Sequence, residues 1–436
     1  MDLQSIEKAL EGCPCGRKHT CDTEDVIVGH GTVNSVGAIL RAHGFPKTQS
    51  AVKDTPNLLI VADKNTFFAS EGILPSLSDA GYTYTLRVYD NLREAQMDEV
   101  NSLTAALKSS GGVLSVGTGS LNDICRLASF RAEKDFAIFA TAPSMDGFAS
   151  GTAPIVTNGF KETHEAHQPR LILADTAILA KSPQMLKGAG FGDMIGKLTG
   201  LCDWKISHLL TGEYYCPAIA GLTKSAVDKI SELADGVQLC DETAAAAVFE
   251  ALIMTGIAMK FADSVRPASG AEHIVSHFWD ICKMRDNIPP DFHGRDVGVA
   301  TVLINRLYRK AASYESIKAC DDKPDWDKIY AVYGERLKPD IIRLNAPSCL
   351  EHVTPERLEK HWDGIRSIVF ETLPDDGALV SLMKRAGTPT EIAEVNVSPA
   401  LAAQSLKYHP YMRRRLTLAR LLPMTDIAIN PSEIIC

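Results

Sequence analysis

The chain has 436 residues, of which 45% are hydrophobic, so it is long enough for two or three domains with sizeable cores. Its formal net charge of −9 argues against nucleic acid or an anionic membrane as the main partner, although a small anionic substrate needs only a local positive site. The first residues have no basic start and no apolar core, which predicts a chain without a signal peptide. We therefore expect the 11 cysteines to be reduced thiols in the cytoplasm.

Apolar runs alternate with helical patterns through the first 180 residues. The predicted strands are residues 25–29, 57–63, 84–90, 112–117, 136–141 and 170–175. The predicted helices between them are residues 33–42, 72–80, 92–110 and 121–130. Nearly continuous apolar strands that alternate with helices are typical of a parallel sheet covered on both faces. We therefore expect an α/β domain with a mostly parallel sheet.

Beyond Pro183, long helical patterns replace the short strands. They cover residues 194–210, 243–261, 271–283, 297–313, 355–372, 399–407 and 411–422. The most apolar run, residues 244–259, is too short and too interrupted by Glu250 to span a bilayer, which predicts a buried core helix. We place a boundary near residues 178–185, giving an α/β domain (1–180) and an all-helical domain (181–436). The cleft between two domains is the default position for a site.

A small cluster of cysteines and one histidine lies near the N-terminus, in the sequence CPCGRKHTC. Its members are Cys13, Cys15, His19 and Cys21. Such side chains can bind zinc, but two cysteines separated by one residue do not have the spacing of a standard zinc finger. The pattern favours a turn with free thiols, and a zinc site is the alternative.

A glycine-rich turn, GTGS, lies between a predicted strand and a predicted helix. Its residues are Gly117, Thr118, Gly119 and Ser120. Such a turn lets backbone N–H groups approach a diphosphate at a helix N-terminus, whereas the alternative is an ordinary turn between a strand and a helix. Asp63 ends another predicted strand, where its carboxylate could accept hydrogen bonds from ribose hydroxyls or cap the next helix.

The segment TAPSMDGFASG, residues 141–151, follows the fifth predicted strand. Turn chemistry explains Asp146 and the glycine after it without any function. The hydroxyl groups of Thr141, Ser144 and Ser150 around this turn are not explained in that way, and they mark the segment as a candidate binding loop.

A second glycine-rich segment, GAGFGDMIGK, covers residues 188–197. Asp193 and Lys197 are four residues apart at the start of a predicted helix. One interpretation is an acidic residue at a helix N-terminus with a supporting ion pair. The closely spaced glycines favour a functional site instead, because they let another group approach the backbone.

Residues 269–298 contain three histidines with a suggestive spacing. Ser269 and Glu272 predict a capping box that opens a helix. His273 and His277 share one face of that helix, together with Ser276 and Asp280, and His293 follows after a loop. Two histidines on a helix and a third from a loop could bind one metal ion. The alternative is a solvated helix face followed by an ordinary loop histidine.

Five motifs in this order resemble one family: GTGSLND, TAPSMDGFAS, GFGDMIGK, EHIVSH and HGRDVG. They are similar to the sn-glycerol-1-phosphate dehydrogenases of bacteria and archaea, in the group that contains iron-type alcohol dehydrogenases, glycerol dehydrogenase and 3-dehydroquinate synthase. The resemblance covers roughly residues 25–310. It implies a dehydroquinate synthase-like fold, with a dinucleotide-binding α/β domain, an all-helical domain and the active site between them.

The resemblance also implies roles for individual residues. Asp193, His273 and His293 match the metal ligands, and Asp146, Asp193 and His277 match the catalytic residues that contact the substrate. The residues that match cofactor contacts are Asp63, Gly117, Thr118, Gly119, Ser120, Leu121, Thr141, Ala142, Pro143, Ser144 and Ser150. Dehydroquinate synthases have a glutamate in place of Asp193. Lys197 and Arg295 are the candidates for binding a substrate phosphate. The N-terminal cysteine cluster and the tail after about residue 335 fit the longer bacterial type, and no chemistry is assigned to them.

The implied reaction is the metal-dependent, reversible reduction of dihydroxyacetone phosphate to sn-glycerol 1-phosphate by hydride transfer at C2. The cofactor is NAD(H) or NADP(H); Asp63 favours NAD(H), and Lys64 could soften its repulsion of a 2′-phosphate. One zinc, nickel or iron ion suits the mixed nitrogen and oxygen ligands. The alternatives are a polyol dehydrogenase acting on glycerol or a similar unphosphorylated alcohol, and a carbocycle-forming lyase like dehydroquinate synthase.

The expected partner is a phosphorylated triose, without nucleic acid or a membrane span. We expect a cytoplasmic homo-oligomer, with a dimer as the first choice, although the sequence does not determine the oligomeric state. The product could enter phospholipid biosynthesis, which nothing in the sequence demonstrates.

Overall fold

The computed structural model describes residues 1–47, 57–157 and 160–435. They form two compact units. One, the α/β unit, comprises Met1–Gly190 and Glu232–Asp263, and the other, the helical unit, comprises Phe191–Ser231 and Ser264–Cys436. The compact α/β unit thus includes residues 232–263, which the sequence assigned to the helical half. A functional domain boundary at residue 180 stays a prediction.

The α/β unit contains eight strands among the described residues. They are β1 Asp25–Gly29, β2 Asn57–Asp63, β3 Thr83–Tyr89, β4 Gly112–Val116, β5 Asp135–Ala140, β6 Thr152–Thr157, β7 Phe160–Glu165 and β8 Leu171–Asp175. Six form a fully parallel sheet in the order β1-β8-β5-β4-β2-β3. This confirms the predicted parallel sheet. The antiparallel hairpin of β6 and β7 was not predicted.

The strand order changes direction at β2, because β3 pairs with one side of β2 and β4 with the other. Ala62 of β2 lies opposite Val116 of β4, so Asp63 and Gly117 follow adjacent strand ends. Ligands of open α/β sheets bind outside the carboxyl ends of the strands at such a topological switch point. The topology therefore places two predicted cofactor segments where a dinucleotide is expected.

Helices account for most of the remaining described residues. The first eight are α1 Leu3–Ala9, α2 Val36–Ala42, α3 Lys64–Ala69, α4 Ile73–Asp79, α5 Met97–Ala106, α6 Ser120–Arg131, α7 Thr176–Lys181 and α8 Gln184–Thr211. The next six are α9 Pro217–Glu232, α10 Ala234–Gln238, α11 Glu242–Ala262, α12 Ala271–Arg285, α13 His293–Ala312 and α14 Trp326–Tyr333. The last six are α15 Lys338–Asn345, α16 Pro355–Thr372, α17 Asp376–Arg385, α18 Pro399–Tyr408, α19 Leu418–Leu421 and α20 Pro431–Ile435.

Several helical predictions need correction. The predicted helix at 411–422 is wrong, because the chain forms a short 3-10 turn at His409–Met412 and becomes extended at Arg413 before α19 begins. Helices α9, α10, α14, α15 and α17 were not predicted. The other long helices beyond Pro183 agree with the predicted helical patterns; they are α8, α11, α12, α13, α16 and α18.

The parallel sheet supplies the core of the α/β unit. Buried side chains such as Leu58, Ile60 and Leu114 pack with Val36 and Leu40 from the α2 region, in one cluster. Nearly every residue of the central strands is inaccessible to solvent. Burial on both faces explains the continuous apolar runs from which these strands were predicted.

Helix α11 is the most apolar helix of the α/β unit. Its 21 residues are long and apolar enough to cross a membrane by length and composition, but 72% of its most apolar window is buried inside the protein. Core helices pass the same composition test. The helix is therefore a largely buried core helix, as predicted, although it extends beyond residues 244–259.

Candidate active site

Three potential metal ligands converge within the helical unit. Asp193, His273 and His293 each offer one ligand atom, and these atoms all lie within 4.8 Å of one another. They come from three different helices, α8, α12 and α13. Asp193 is fully buried, His273 is 5% exposed and His293 is half-buried. A carboxylate with two imidazoles, shielded from most solvent, is a donor set that suits a divalent transition metal.

Two of these residues occupy different backbone positions from those predicted. Asp193 was expected at the start of a helix, but α8 begins at Gln184 and Asp193 lies in its interior. His293 was expected in a loop, but it is the first residue of α13. The interpretation of Asp193 as an ordinary N-terminal helix residue is therefore wrong.

Glycines bring the three helices close enough for convergence. A Cβ atom at Gly192 would lie 2.7 Å from the Gly294 carbonyl oxygen, and one at Gly196 would lie 2.8 Å from a Val297 methyl carbon. Any larger residue at these positions would push α8 away from α13. The glycines thus allow a close approach, as the sequence suggested, and the group that approaches Gly192 is the backbone of α13.

Glu272 orients His273. The Glu272 side chain is fully buried, and its Oε1 lies 2.7 Å from His273 Nδ1. Because an ionised carboxylate can only accept a hydrogen bond, Nδ1 must carry the proton and donate it. In the neutral ring, Nε2 then has the lone pair that can coordinate a metal. Nε2 lies 3.4 Å from Asp193 Oδ1. The second oxygen of Glu272, Oε2, is buried without a hydrogen-bond partner.

The sequence predicted that Ser269 and Glu272 form a capping box, and the structure keeps only the part played by Glu272. The N-cap of α12 is Gly270, whose N–H donates to Glu272 Oε1 at 2.8 Å, and there is no side-chain cap. Ser269 instead accepts a hydrogen bond from Arg415 through its hydroxyl at 2.8 Å. The signal that could have revealed Glu272 is an acidic residue directly preceding a candidate ligand histidine.

Lys197 is the nearest cation to Asp193. Both side chains are fully buried, and Nζ lies 2.5 Å from Asp193 Oδ1. Burial alone would raise the pKa of Asp193, but Lys197 and the two histidines outweigh burial and lower it. Burial and Lys197 oppose protonation of His273, yet its hydrogen bonds to Asp193 and Glu272 raise its pKa. The site therefore favours an ionised carboxylate, the form that binds a cation.

The face of α12 beyond His273 is partly buried. Ser276 is fully buried, and His277 and Asp280 are half-buried. The ring centroids of His277 and His293 are 5.6 Å apart. Nη2 of Arg413 lies 3.5 Å from His277 Nδ1. The stripe is therefore buried at His273 and Ser276 and partly exposed at His277 and Asp280, rather than solvated along its whole length.

The two predicted phosphate-binding cations have protein partners. Lys197 contacts Asp193, as described above. Arg295 forms an ion pair with Asp291 at 3.0 Å and donates to the Glu394 carbonyl oxygen at 2.8 Å. Arg413, beside His277, was not considered from the sequence, since a run of three arginines in a tail gives no indication of which one faces a site.

In the α/β unit, three of the four predicted cofactor segments follow adjacent strands. Asp63 ends β2, the turn from Gly117 to Leu121 follows β4, and the segment from Thr141 to Ser144, with Ala142 and Pro143, follows β5. The hydroxyl oxygens of Thr118 and Ser144 are 2.6 Å apart, which joins the last two segments. The carbonyl of Pro143 packs against Gly190, where a Cβ atom would clash with it.

The N-terminus of α6 has the features of an anion site. Its N-cap, Gly119, has φ of +54° and makes no side-chain cap, and a Cβ atom there would meet nothing within 4 Å. The positive φ explains the glycine, and no side-chain cap occupies the first N–H groups of this 12-residue helix. These features fit a dinucleotide diphosphate.

Asp63 caps helix α3. Its Oδ1 accepts hydrogen bonds from the N–H groups of Asn65 at 2.8 Å and Thr66 at 2.9 Å. The helix cap, which was the alternative to a ribose contact in the sequence analysis, is thus present. The ribose contact stays a prediction. Lys64 forms an ion pair with Asp90 at 2.7 Å between two exposed side chains, and its effect on a 2′-phosphate stays a prediction.

Asp146 lies in a 3-10 turn, Asp146–Ala149, that is held by a buried arginine. Arg126 is fully buried and donates to the carbonyl oxygens of Gly147 at 2.6 Å and Phe148 at 3.0 Å. Ser150, after the turn, bonds to Thr152. Sequence reasoning missed Arg126, because an arginine within an amphipathic helix usually faces solvent.

Comparisons with known proteins place this geometry in a family. A family model described as iron-containing alcohol dehydrogenase matches residues 27–183. A glycerol-1-phosphate dehydrogenase [NAD(P)+] of Halalkalibacterium halodurans is 30% identical over 95% of this chain and 96% of its own length. The chain belongs to the glycerol-1-phosphate dehydrogenase family.

An archaeal relative extends the comparison. The glycerol-1-phosphate dehydrogenase [NAD(P)+] of Methanosarcina acetivorans is 33% identical, but the match covers 67% of this chain and 78% of the relative. The bacterial member thus matches a larger part of the chain, in agreement with the sequence interpretation. The crystal structure of glycerol dehydrogenase from Schizosaccharomyces pombe shares the fold, with a TM-score of 0.60 and 16% identity over 95% of this chain and 87% of that one.

Membership of the glycerol-1-phosphate dehydrogenase family supports NAD(P) and a divalent metal as the cofactors. The residues described above fit both groups. An oriented imidazole, a second imidazole and an ionised carboxylate converge in the helical unit, and an uncapped helix N-terminus lies at the switch point of the sheet. The roles of individual residues stay predictions.

Proposed function

We propose that this chain reduces dihydroxyacetone phosphate to sn-glycerol 1-phosphate with NAD(P)H and a divalent metal. In this reaction a hydride adds to C2, the C=O double bond becomes a single bond, and the oxygen takes one proton. The observation that carries the proposal is the convergence of Asp193, His273 and His293 in a chain of the glycerol-1-phosphate dehydrogenase family.

Asp193, His273 and His293 would hold the metal, which when bound supplies a Lewis acid for the ketone oxygen. Glu272 would fix the ring of His273 with Nε2 toward the ion. The ligand set suits zinc, nickel or iron. These assignments rest on the short distances among the three ligand atoms and on the burial that excludes competing water.

The turn from Gly117 to Leu121, with Thr141 to Ser144 and Ser150, would bind NAD(P)H, the source of the hydride. The N–H groups at the start of α6 would donate hydrogen bonds to the diphosphate. Asp63 would accept hydrogen bonds from the adenosine ribose through its second oxygen, since Oδ1 caps α3. A carboxylate there disfavours a 2′-phosphate, so we propose NAD(H) as the preferred cofactor.

Two further residues would handle the substrate hydroxyls and the proton. His277 is half-buried beside His293, and an imidazole can give or take a proton near neutral pH. Asp146 would orient a substrate hydroxyl. The hydrogen bonds of Arg126 to Gly147 and Phe148 hold the turn of Asp146 in place, which limits the reorganisation needed on binding.

We propose Arg413 as a phosphate contact, because its guanidinium lies beside His277. One charge-assisted contact contributes about 1.5–3 kcal/mol, so Arg413→Ala should lower kcat/KM for dihydroxyacetone phosphate by roughly 10- to 150-fold. The same change should leave kcat/KM for dihydroxyacetone nearly unaltered. Arg414→Ala is the matched control, since Arg414 is the next arginine along the chain and both residues are exposed. Equal losses in both variants would remove Arg413 from the phosphate site.

The decisive experiment compares dihydroxyacetone phosphate with dihydroxyacetone at fixed NADH, followed by chiral analysis of the product. Two or three phosphate contacts should give a ratio of kcat/KM of roughly a thousand or more, because about 1.4 kcal/mol corresponds to tenfold. The product should be sn-glycerol 1-phosphate. A ratio near one would favour the polyol dehydrogenase, and the absence of net nicotinamide oxidation with either ketone would favour the lyase.

A further inference from the structure

The N-terminal segment of the α/β unit gathers two thiols and an imidazole. The ligand atoms of Cys13, Cys15 and His19 all lie within 4.8 Å of one another. Cys15 Sγ is 3.1 Å from His19 Nε2. His19 is 4% exposed, and the two cysteines are half-buried. These three residues have no part in the proposed reaction.

A tight turn brings the two thiols to the same place. The N–H of Gly16 donates to the carbonyl oxygen of Cys13 at 3.0 Å, and Gly16 has φ of +77°, a conformation that favours glycine. The chain then doubles back, so that His19 reaches the cysteines. Cys13 and Cys15, separated by one residue, do not have the spacing of a zinc finger, but the turn still brings both thiols close to His19.

The backbone of α11 orients His19. Its Nδ1 lies 3.0 Å from the carbonyl oxygen of Phe261. Because a carbonyl oxygen can only accept, Nδ1 carries the proton, and in the neutral ring Nε2 keeps its lone pair. That lone pair is on the nitrogen next to Cys15 Sγ. A ligand histidine typically has its other ring nitrogen held by such a carbonyl.

The neighbouring residues strengthen this arrangement. Arg17 donates to the Ala262 carbonyl oxygen at 3.0 Å, so the segment is attached to the C-terminal end of α11 at two successive carbonyls. Cys21 is different, since its thiol donates to the Thr23 carbonyl oxygen at 3.6 Å and burial raises its pKa to about 12. The cluster thus consists of three of the four residues noted in the sequence.

We propose that Cys13, Cys15 and His19 form a structural zinc site that fastens the N-terminal segment to helix α11. Thiolates with imidazole select zinc among the common divalent ions. Binding releases the thiol protons to solvent, because the thiolate is the form that binds the metal.

The test is a titration of the metal-depleted full chain with Co²⁺, read by absorption. Thiolate-to-cobalt charge transfer in the near ultraviolet reports only a sulfur-ligated ion, so a metal bound by Asp193, His273 and His293 does not contribute. We expect this band in the wild-type chain and its displacement by one equivalent of Zn²⁺. Its absence from the folded wild-type chain would overturn the proposal without any variant.

Variants then locate the site. Cys13→Ser and Cys15→Ser should each weaken Co²⁺ binding and lower the intensity of the band at saturation, because each removes one thiolate, and His19→Ala should weaken Co²⁺ binding by tenfold or more while the sulfur band keeps its intensity at saturation. Cys21→Ser is the matched control and should behave like the wild type, because Cys21 bonds elsewhere. Wild-type Co²⁺ affinity and band intensity in both Cys13→Ser and Cys15→Ser, or a band that is lost in Cys21→Ser alone, would contradict the assignment. Circular dichroism of each variant checks that the fold is retained.

Discussion

In the α/β unit, most of the residues assigned to the cofactor lie at or just after the ends of β2, β4 and β5, where backbone groups would do much of the binding. In the helical unit, the residues assigned to the metal are side chains of α8, α12 and α13, and helix packing sets their distances. Backbone binding tolerates many side-chain changes, whereas a three-ligand site fails when one ligand is lost. Mutations should therefore have larger effects in the helical unit, and the following experiments test that contrast.

The largest effect is expected from His273→Ala. Loss of one of three ligands should empty the metal site and lower turnover by roughly a thousandfold or more, since the metal contributes several kcal/mol to the transition state. Metal content per chain and kcat are measured together. His352→Ala, at an exposed histidine of the same unit, is the control. Full metal occupancy with normal turnover in His273→Ala would refute the assignment.

The next effect concerns stability at low pH. His409 is fully buried, its Nδ1 donates to the Ser405 carbonyl oxygen at 2.8 Å, and burial lowers its pKa to about 4. The unfolded chain binds a proton near pH 6.5, so the stabilisation is complete above pH 6.5 and is lost as the pH falls through 4. Relative to His409→Gln, the wild type should lose about 3 kcal/mol between pH 7 and 4.

Denaturant unfolding of both proteins across this pH range measures the difference. His352→Gln, which changes an exposed histidine, should show almost no pH-dependent difference from the wild type. A pH profile of His409→Gln that parallels the wild type would show that His409 titrates normally in the folded protein.

A smaller effect is expected from Glu272→Gln. The change keeps the size of the side chain but removes the charge that supports Nδ1 of His273. Partners of this kind typically contribute about 10- to 100-fold to metal affinity. Competition with a chelator measures the dissociation constant, and Glu371→Gln, at an exposed position, is the control. Unchanged metal affinity in Glu272→Gln would mean that helix packing alone orients His273.

The smallest effect belongs to the α/β unit. Asp63→Asn should preserve the cap of α3, because asparagine caps helices as well as aspartate does, whereas Asp63→Ala should lose about 1 kcal/mol of stability. In both variants KM for NADH should rise several-fold and KM for NADPH should change less. Equal changes for the two cofactors in Asp63→Asn would restrict Asp63 to its capping role.

The same contrast explains how much the sequence could predict. Strands β1 and β2 have the predicted boundaries. In β2, burial on both faces produces an unbroken apolar run, whereas β1 is an edge strand in which Val26 alone is buried. The topology of a parallel sheet then places the residues after each strand. The hairpin was missed because β7, with the sequence FKETHE, has the composition of a loop and β6 contains Pro154.

In the helical unit, the candidate ligands could be named from the sequence, but their surroundings could not. The histidine spacing on α12 follows from helix geometry, so His273 was identifiable. The place of Asp193 inside α8 was missed because its glycines were interpreted as the region before a helix. The ion pair of Lys197 with Asp193 lies within α8, and their spacing of four residues had indicated it. Arg413 reaches His277 from 136 residues along the chain, which no local pattern reveals.

The close contact between α8 and α13 has a consequence for protein engineering. Replacing a helical glycine with alanine usually raises stability by about 1 kcal/mol through helix propensity. At Gly192 and Gly196 that gain is unavailable, because the added methyl group would meet Gly294 and Val297. Gly221 of α9 has open space around it and can take alanine. Stabilising substitutions can therefore be sought at positions such as Gly221 of α9. In α8, glycine is a weak helix former, but it keeps α8 close to α13, so that the proposed metal ligands on these two helices stay near one another.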